Sequence, residues 1–225
     1  MFKKIVLLLI PFFFLVSFKP KEKFHTIIMN TKFGAMKILL YNETPLHRDN
    51  CLKLVNQHFY DGLLFHRVIK NFMIQGGDPD SKNAKPGQML GGGDVGYTVP
   101  AEFTPSLFHK KGVLAAARDN NPTKASSGCQ FYIVQGGKIG EADLDNIEKQ
   151  TGRTMSAEQR EIYKIIGGTP HLDMGYTVYG EVIEGFNVLD SIAVVKCDKT
   201  DRPLDDVRII SMKQGKDFKP KGMKK

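Results

Sequence analysis

The sequence contains no tryptophan and only three cysteines among its 225 residues. Cys51, Cys129 and Cys197 lie far apart, so they form neither a CxxC redox pair nor a zinc-knuckle pattern. Three cysteines cannot all pair within one chain, and each is most simply read as a small buried hydrophobic residue. Whether two of them form a disulfide is left open by the sequence.

Several patterns that carry chemistry are also missing. The six histidines show neither HxxxH nor HExxH spacing, and there is no GxSxG sequence, so a metal site and a serine hydrolase are unsupported. Gly91-x-Gly93-x-x-Gly96 formally matches a dinucleotide-binding fingerprint, but Tyr97-Thr98-Val99-Pro100 follows it and does not begin a helix. We interpret these glycines as a cluster of turns and predict that the protein uses no metal and no cofactor.

The formal net charge of +8 is concentrated at the two ends of the chain. Residues 1–23 hold five lysines and one glutamate, and residues 213–225 hold six further lysines. The part between them is close to balanced, and no basic strand interleaved with aromatic residues accompanies the charge. This distribution gives no support to nucleic-acid binding.

The N-terminus has the pattern of an export signal. Lys3-Lys4 precede an apolar run over 5–18, which is shorter than the roughly 20 residues that a helix needs to cross a bilayer. A clear small-x-small cleavage site is missing, so an uncleaved membrane anchor remains an alternative to a signal peptide. We expect a leader at 1–23, one domain at 24–214 and a basic flexible tail at 215–225, in an exported protein.

Short β-prone runs dominate the domain. Runs at 26–29 and 35–41 flank Gly34 and predict an opening hairpin, and a helix of about three turns should follow, with Thr44 as N-cap, Pro45 at its first position and Leu46 on its apolar stripe. Further strands are predicted at 65–69, 72–75, 97–99, 113–117, 130–134, 177–182 and 207–212. So many strands with few helices indicate an antiparallel sandwich or barrel.

Two more helical regions are expected. One lies at 186–192, and the other, at 141–166, should consist of two pieces separated at Thr151-Gly152. The second piece begins with a capping-box pattern, Ser156-x-x-Gln159, and ends before Gly167-Gly168.

The stretch from Phe65 to Asp78 suggests a site. It places Arg67 on one strand and Phe72, Met73 and Gln75 on the next, so a guanidinium, two large apolar side chains and an amide could meet on one surface if the strands pair. The alternative is a surface arginine above two core residues, and residue types alone do not separate the two.

This stretch resembles the signature of the cyclophilins, and two later blocks match the same family. They are 112–118 with 127–133, similar to the central strands, and 172–182, similar to the closing segment. The resemblance covers about 25–214. It implies a mainly β fold: a closed eight-stranded antiparallel barrel capped by two helices, with a substrate groove on its outer wall.

The resemblance also implies roles for individual residues. Arg67 takes the catalytic position of a peptidyl-prolyl cis-trans isomerase, and the expected substrate-binding residues are Phe72, Met73, Gln75, Ala117, Arg118, Gln130, Tyr132, His171, Leu172 and Tyr176. Expected partners are proline-containing peptides and unfolded proteins, bound by a monomer in the periplasm or cell envelope of a bacterium. A proline-peptide binding module or holdase with little turnover is the alternative.

Some positions differ from the best-known eukaryotic members. His171 stands where many have tryptophan, Tyr176 replaces a histidine, Arg118 an asparagine and Tyr132 a phenylalanine. The missing indole predicts weak cyclosporin binding. The region 141–168 is interpreted as a helical insertion, which either flanks the groove and restricts which peptides enter or braces the barrel.

Overall fold

Ten strands and four α-helices follow one another in residues 23–217, the part of the chain that the computed structural model describes. The strands are β1 (Thr26–Thr31), β2 (Gly34–Leu40), β3 (Phe65–Ile69), β4 (Met73–Gly76), β5 (Thr98–Val99), β6 (Val113–Ala116), β7 (Ser126–Ser127), β8 (Phe131–Val134), β9 (Val178–Glu184) and β10 (Ile209–Gln214). The helices are α1 (Pro45–Asn56), α2 (Glu141–Thr151), α3 (Ala157–Ile165) and α4 (Phe186–Ala193). The 3-10 turn at Pro170–Leu172 is called the 170–172 turn below. Nearly all of the expected leader and most of the expected tail lie outside the described residues.

Eight strands form one antiparallel sheet in the order β10-β1-β2-β9-β6-β8-β4-β3, and β5 pairs with β7 in a separate small sheet. The expected closed barrel is wrong: only an isolated bridge, Leu64 with Arg208, and a few backbone hydrogen bonds join the two ends. Twist accumulates across the eight strands, and the ladder does not continue between β3 and β10, so the sheet stays open as a half-barrel. The number of helices agrees with the prediction: α1 and α4 are the two expected outside the region 141–166, and α2 and α3 are the two pieces expected within it.

Alternation along the strands divides the sheet into two faces. On β8, Phe131 and Ile133 belong to the main core, while Tyr132 and Val134 belong to a second cluster on the opposite face. The same alternation recurs on β4, where Ile74 faces the core and Met73 faces the second cluster. Because successive side chains point to opposite faces, one strand supplies both the core and the wall of a groove.

The helix α1 begins at Pro45 with Thr44 at the N-cap position, as predicted, but the side chain of Thr44 does not cap it. Thr44 makes no side-chain hydrogen bond to the helix; instead the carboxylate of Glu102 accepts hydrogen bonds from the backbone N–H groups of Leu46 (3.1 Å) and His47 (3.0 Å). Leu46 is half exposed, so the apolar stripe begins with the buried residues His47 and Cys51. A carboxylate brought from a distant loop satisfies the first donors of the helix, which no local pattern could reveal.

The helical region after β8 forms as predicted, in two pieces. Gly152 ends α2 in the left-handed conformation, and Ser156 and Gln159 make both hydrogen bonds of a capping box at the start of α3. Leu144 and Tyr163 are the fully buried residues of the two helices. The two helices are present in the described structure; whether they are an insertion is decided by comparison with other proteins of the same fold.

The glycine cluster at 91–96 leads into the two-residue strand β5 and not into a helix, in agreement with its interpretation as turns. Between residues 23 and 217, no helix has the length and apolar character needed to cross a membrane.

Candidate active site

The β3–β4 hairpin carries the first group of predicted site residues. Arg67 lies opposite Gln75 in the register, and the turn between the strands passes through Asn71, whose φ is 61°. Asn71 tolerates this left-handed conformation better than most residues, and its backbone N–H donates to Gln135 Oε1 at 2.7 Å. The hairpin thus presents Arg67 beside Gln75 on the outer wall of the sheet.

The next two strands extend the same wall. Tyr132 on β8 lies opposite Gln75 on one side and opposite Ala115 of β6 on the other. Ala117 follows β6 directly, and its backbone N–H donates to the carbonyl of Gln130 at 2.9 Å. Residues far apart in sequence therefore reach one surface through strand pairing.

These residues surround one open cavity of about 190 Å³. Nine of the predicted residues line it: Arg67, Phe72, Met73, Gln75, Ala117, Arg118, Tyr132, Leu172 and Tyr176. Its apolar part is large enough for a proline ring, and a guanidinium stands at its edge. The interpretation of Arg67 as an arginine over two ordinary core residues is therefore the weaker one.

The other two predicted residues lie next to the cavity. His171 is exposed and stacks on Phe72, with ring centroids 5.7 Å apart and an interplanar angle of 24°. Gln130 lies behind Gln75, which donates to it at 3.2 Å, and it donates in turn to the carbonyls of Gly91 (2.9 Å) and Gly93 (2.8 Å). Gln130 therefore connects the hairpin to the glycine turns.

Those turns form a second, wider cavity of about 630 Å³ that shares a wall with the first. Gln75, Ala117 and Arg118 line both cavities. A peptide lying across these three residues would reach both hollows. The two cavities together form an extended groove rather than a closed pocket.

The two arginines of the groove have different surroundings. Arg67 keeps 42% of its side chain exposed, and its Nε lies 3.4 Å from Oδ2 of Asp201, a long contact that leaves most of its donors available. Arg118 is more engaged: its guanidinium lies 4.8 Å from the ring centroid of Tyr176, and its Nε donates to the carbonyl of Gly175 at 2.8 Å. Arg118 thus holds the groove wall, whereas Arg67 faces the cavity.

The groove holds no activated nucleophile among the described residues. Burial raises the pKa of the Tyr132 phenol well above its ordinary value, so this group stays neutral. Burial likewise raises the pKa of the nearby Cys129 thiol to about 11, so it is protonated near neutral pH. No cluster of three or more potential metal ligands occurs within residues 23–217. The arrangement suits binding and polarisation rather than covalent attack.

Sequence reasoning missed the partners of these groups. His109, Asp173 and Tyr163 form a hydrogen-bonded chain behind Tyr132, and Asp201 lies beside Arg67. Leu172-Asp173 belongs to a recognisable block, but nothing in its spacing indicates what the carboxylate contacts. The contacts arise from loops that only the folded chain brings together.

Comparisons with known proteins identify the family of the chain. Residues 26–214 match the family described as cyclophilin type peptidyl-prolyl cis-trans isomerase/CLD. A putative peptidyl-prolyl cis-trans isomerase of Staphylococcus aureus is 35% identical over 188 residues, which are 83% of this chain and 89% of that protein. A putative bifunctional phosphatase/peptidyl-prolyl cis-trans isomerase of Streptococcus pyogenes is 37% identical over 187 residues, 81% of this chain but 37% of that protein's length.

Solved structures show the same fold. A crystal structure of a Cryptosporidium parvum cyclophilin type isomerase matches with a TM-score of 0.62 and 24% identity, covering 88% of this chain and 99% of that one. A second structure of that protein, determined in the presence of the dipeptide Ala-Pro, gives a TM-score of 0.60 at 24% identity and covers 83% of this chain and 96% of that one. The family match over almost the whole domain decides the classification: this chain belongs to the cyclophilin-type peptidyl-prolyl cis-trans isomerases.

Proposed function

We propose that this protein catalyses rotation about X-Pro peptide bonds, with Arg67 as the catalytic residue. The observation that carries the proposal is that Arg67 lines the same cavity as Phe72, Met73, Tyr132 and Leu172. A relative of the same fold was solved in the presence of Ala-Pro, which supports a proline-containing peptide as the ligand of this cavity.

The barrier to this rotation comes from amide resonance and is about 20 kcal/mol. In the twisted state conjugation is lost, and the proline nitrogen gains a lone pair that neither ground state offers. A guanidinium N–H of Arg67 can donate to that lone pair, so it stabilises the transition state more than the bound substrate. No covalent bond is made or broken in the process.

The apolar residues have a different task. Phe72, Met73 and Leu172 hold the proline ring and exclude water from one side of the bond, while the residue before proline rotates in the open part of the groove. The planar fork of arginine also orients its donors better than the flexible ammonium of lysine. Arg67→Lys should therefore recover little of the activity lost in Arg67→Ala.

The test is a protease-coupled assay on a short X-Pro peptide. Arg67→Ala should lower kcat/KM by at least about tenfold. The matched control is Arg48→Ala, because Arg48 lies on α1 and pairs with Asp49 and Asn42 outside the groove. Equal rates for Arg67→Ala and wild type would refute the assignment of Arg67.

The alternative is a proline-peptide binding module or holdase with little turnover. The differences at His171, Arg118 and Tyr176 from the best-known eukaryotic members favour this alternative, because these residues lie in or beside the groove. Wild-type protein that binds Ala-Pro but does not accelerate isomerisation would identify the binding module. Turnover of the peptide would exclude it.

Two further features complete the proposal. The leader at 1–23 would direct a monomer to the cell envelope, where it would act on unfolded proteins; finding Met1 on the protein in a soluble cytoplasmic fraction would contradict export.

We also interpret 141–168 as a helical insertion in the family fold, supported by its position between β8 and the 170–172 turn. Superposition on the isomerase of Cryptosporidium parvum tests that interpretation.

A further inference from the structure

A chain of buried hydrogen bonds leads from the cavity to α3. Tyr132 Oη lies 2.9 Å from His109 Nε2, and His109 Nδ1 lies 2.8 Å from Asp173 Oδ1. Tyr163, on α3, donates from its hydroxyl to Asp173 Oδ2 at 2.7 Å. A carboxylate only accepts, so His109 Nδ1 donates to Asp173, and His109 Nε2 shares the second hydrogen bond with the hydroxyl of Tyr132.

The same chain also holds the other wall of the cavity. Asp173 directly follows the 170–172 turn, which supplies Leu172 to the cavity. The backbone N–H of His109 donates to Asp173 Oδ1 at 2.8 Å, and the backbone carbonyl of His109 accepts from Thr169 N at 2.8 Å. His109 is therefore hydrogen-bonded to Thr169 before the 170–172 turn, to Asp173 after it, and to Tyr132.

A second connection reaches the turn from the loop between α2 and α3. Arg153 Nη2 lies 3.2 Å from the carbonyl of Pro170 and 3.4 Å from that of His171. A three-residue 3-10 turn has few internal hydrogen bonds to fix its position. Contacts from outside the turn must therefore determine where Leu172 lies.

The two helices are well suited to supply those contacts. Tyr163 is fully buried, and its ring packs edge-to-face on Phe108 with centroids 5.4 Å apart. Arg160 joins α3 to α2 through carboxylates of Glu141, Asp145 and Glu148. Ion pairs thus join α2 to α3, and the packing of Tyr163 on Phe108 fixes the pair independently of its contacts with the 170–172 turn.

We propose that α2 and α3 position the wall of the proline pocket through two positioning residues. Tyr163 acts on Leu172 and Tyr132 through Asp173 and His109. Arg153 acts on Leu172 through the carbonyls of Pro170 and His171. This inference rests on the proposed isomerase function, because it assigns the cavity to the proline ring. It makes the helical pair a determinant of how tightly the ring is held. Loosening the wall weakens ground state and transition state alike, so the effect falls on KM rather than on kcat.

The experiment compares Tyr163→Phe with wild type in the intact protein. The variant keeps the buried ring and removes only the hydroxyl that donates to Asp173, so we expect KM to rise about three- to tenfold with kcat within about twofold. The matched control is Tyr60→Phe, which removes the hydroxyl of another buried tyrosine. That hydroxyl donates a hydrogen bond of 3.3 Å to the carbonyl of Cys129 in the main core. Tyr60→Phe should lower the melting temperature without changing KM.

A second pair of variants covers the case in which Tyr163→Phe does not fold. Arg153→Ala should raise KM in the same direction, whereas Lys149→Ala, which removes an exposed positive charge from α2, should not. If the folded positioning variants melt earlier but keep the wild-type KM, the helices are merely structural and the inference is wrong.

The failure of this inference can be separated from the failure of the isomerase function. Titration of the same proteins with Ala-Pro, followed by NMR, measures ring binding without turnover. Weaker Ala-Pro binding in Tyr163→Phe supports the positioning role even if wild type proves inactive. Unchanged Ala-Pro binding in both positioning variants overturns it, even if wild type is a good isomerase.

Discussion

Arg67 and Asp201 face each other across the edge of the groove, with Nε and Oδ2 separated by 3.4 Å and both side chains more than 40% exposed. The backbone carbonyl of Asp201 accepts a hydrogen bond from Val68 N at 2.9 Å, so the loop that carries the carboxylate is attached to the strand that carries the guanidinium. The position of Asp201 therefore follows that of Arg67. The carboxylate orients the side chain of Arg67 but binds it weakly.

Asp201→Asn should lower kcat/KM by about two- to fivefold, because an exposed ion pair contributes no more than about 1 kcal/mol. Asparagine tolerates the left-handed backbone of residue 201, whose φ is 63°, so the fold should be retained. The check is the isomerase assay at increasing salt: screening should bring the wild-type rate towards that of the variant. A loss as large as that of Arg67→Ala would show that Asp201 does more than orient the guanidinium.

The variant Gln130→Ala should distinguish the contributions of the two cavities to peptide binding. The amide donates to the carbonyls of Gly91 and Gly93 and accepts from Gln75, so its removal loosens the wider cavity and the wall that the two cavities share. The apolar side chains Phe72, Met73 and Leu172 of the cavity beside Arg67 should stay in place. We expect KM for a tetrapeptide to rise several-fold, because part of its binding lies outside the proline cavity. Affinity for Ala-Pro, measured by titration, should stay within about twofold. If binding of the tetrapeptide and of Ala-Pro is weakened equally, Gln130 acts on the cavity beside Arg67 itself.

The start of α1 should depend on Glu102 and not on Thr44. Glu102→Ala removes the acceptor for two backbone donors and should lower the free energy of unfolding by about 1–3 kcal/mol. Thr44→Val should change it by less than about 0.5 kcal/mol, because the hydroxyl of Thr44 is buried without a partner. Urea titrations of both variants provide the measurement, and a larger loss in Thr44→Val would contradict this account of the helix start.

Stability should fall in mild acid because of His66. Burial lowers the pKa of this imidazole from 6.5 to about 4, and neither ring nitrogen has a hydrogen-bond partner among the described residues. Between these two values the unfolded chain binds a proton that the folded protein does not, so stability is complete above the unfolded pKa and is lost as pH falls towards the folded one. The loss from this group can reach roughly 3 kcal/mol.

His66→Gln should therefore flatten the dependence of melting temperature on pH below neutrality. His58→Asn is the matched control, because His58 is largely exposed beside Asp61 and its φ of 54° suits asparagine. The control should keep the wild-type slope. A slope that is the same in His66→Gln and wild type would mean that His66 titrates normally in the folded protein.

Much of the local structure was accessible from the sequence. The capping box at Ser156, the break between α2 and α3 at Thr151-Gly152 and the two strands β3 and β4 were predicted from short patterns, because each depends on neighbours within a few residues. Arg67 and its companions were identified by resemblance, and the structure brings nine of the predicted residues around one cavity.

Long-range contacts were not accessible in this way. Glu102 at the start of α1, Asp201 beside Arg67 and Asp173 behind Tyr132 are carboxylates from loops, and their partners lie more than fifty residues away or in another segment. The open edge between β3 and β10 also depends on how far the twisted sheet turns. None of these has a periodic signature in the sequence.

The family, the order of strands and helices and the residues that line the cavity beside Arg67 could be read from the sequence, because they follow from local propensity and from a recognisable set of motifs. The contacts that hold those residues in place are visible only in the folded chain. A hydrogen bond from α3 to Asp173 depends on where two loops arrive in space, and that position is set by the packing of the whole sheet.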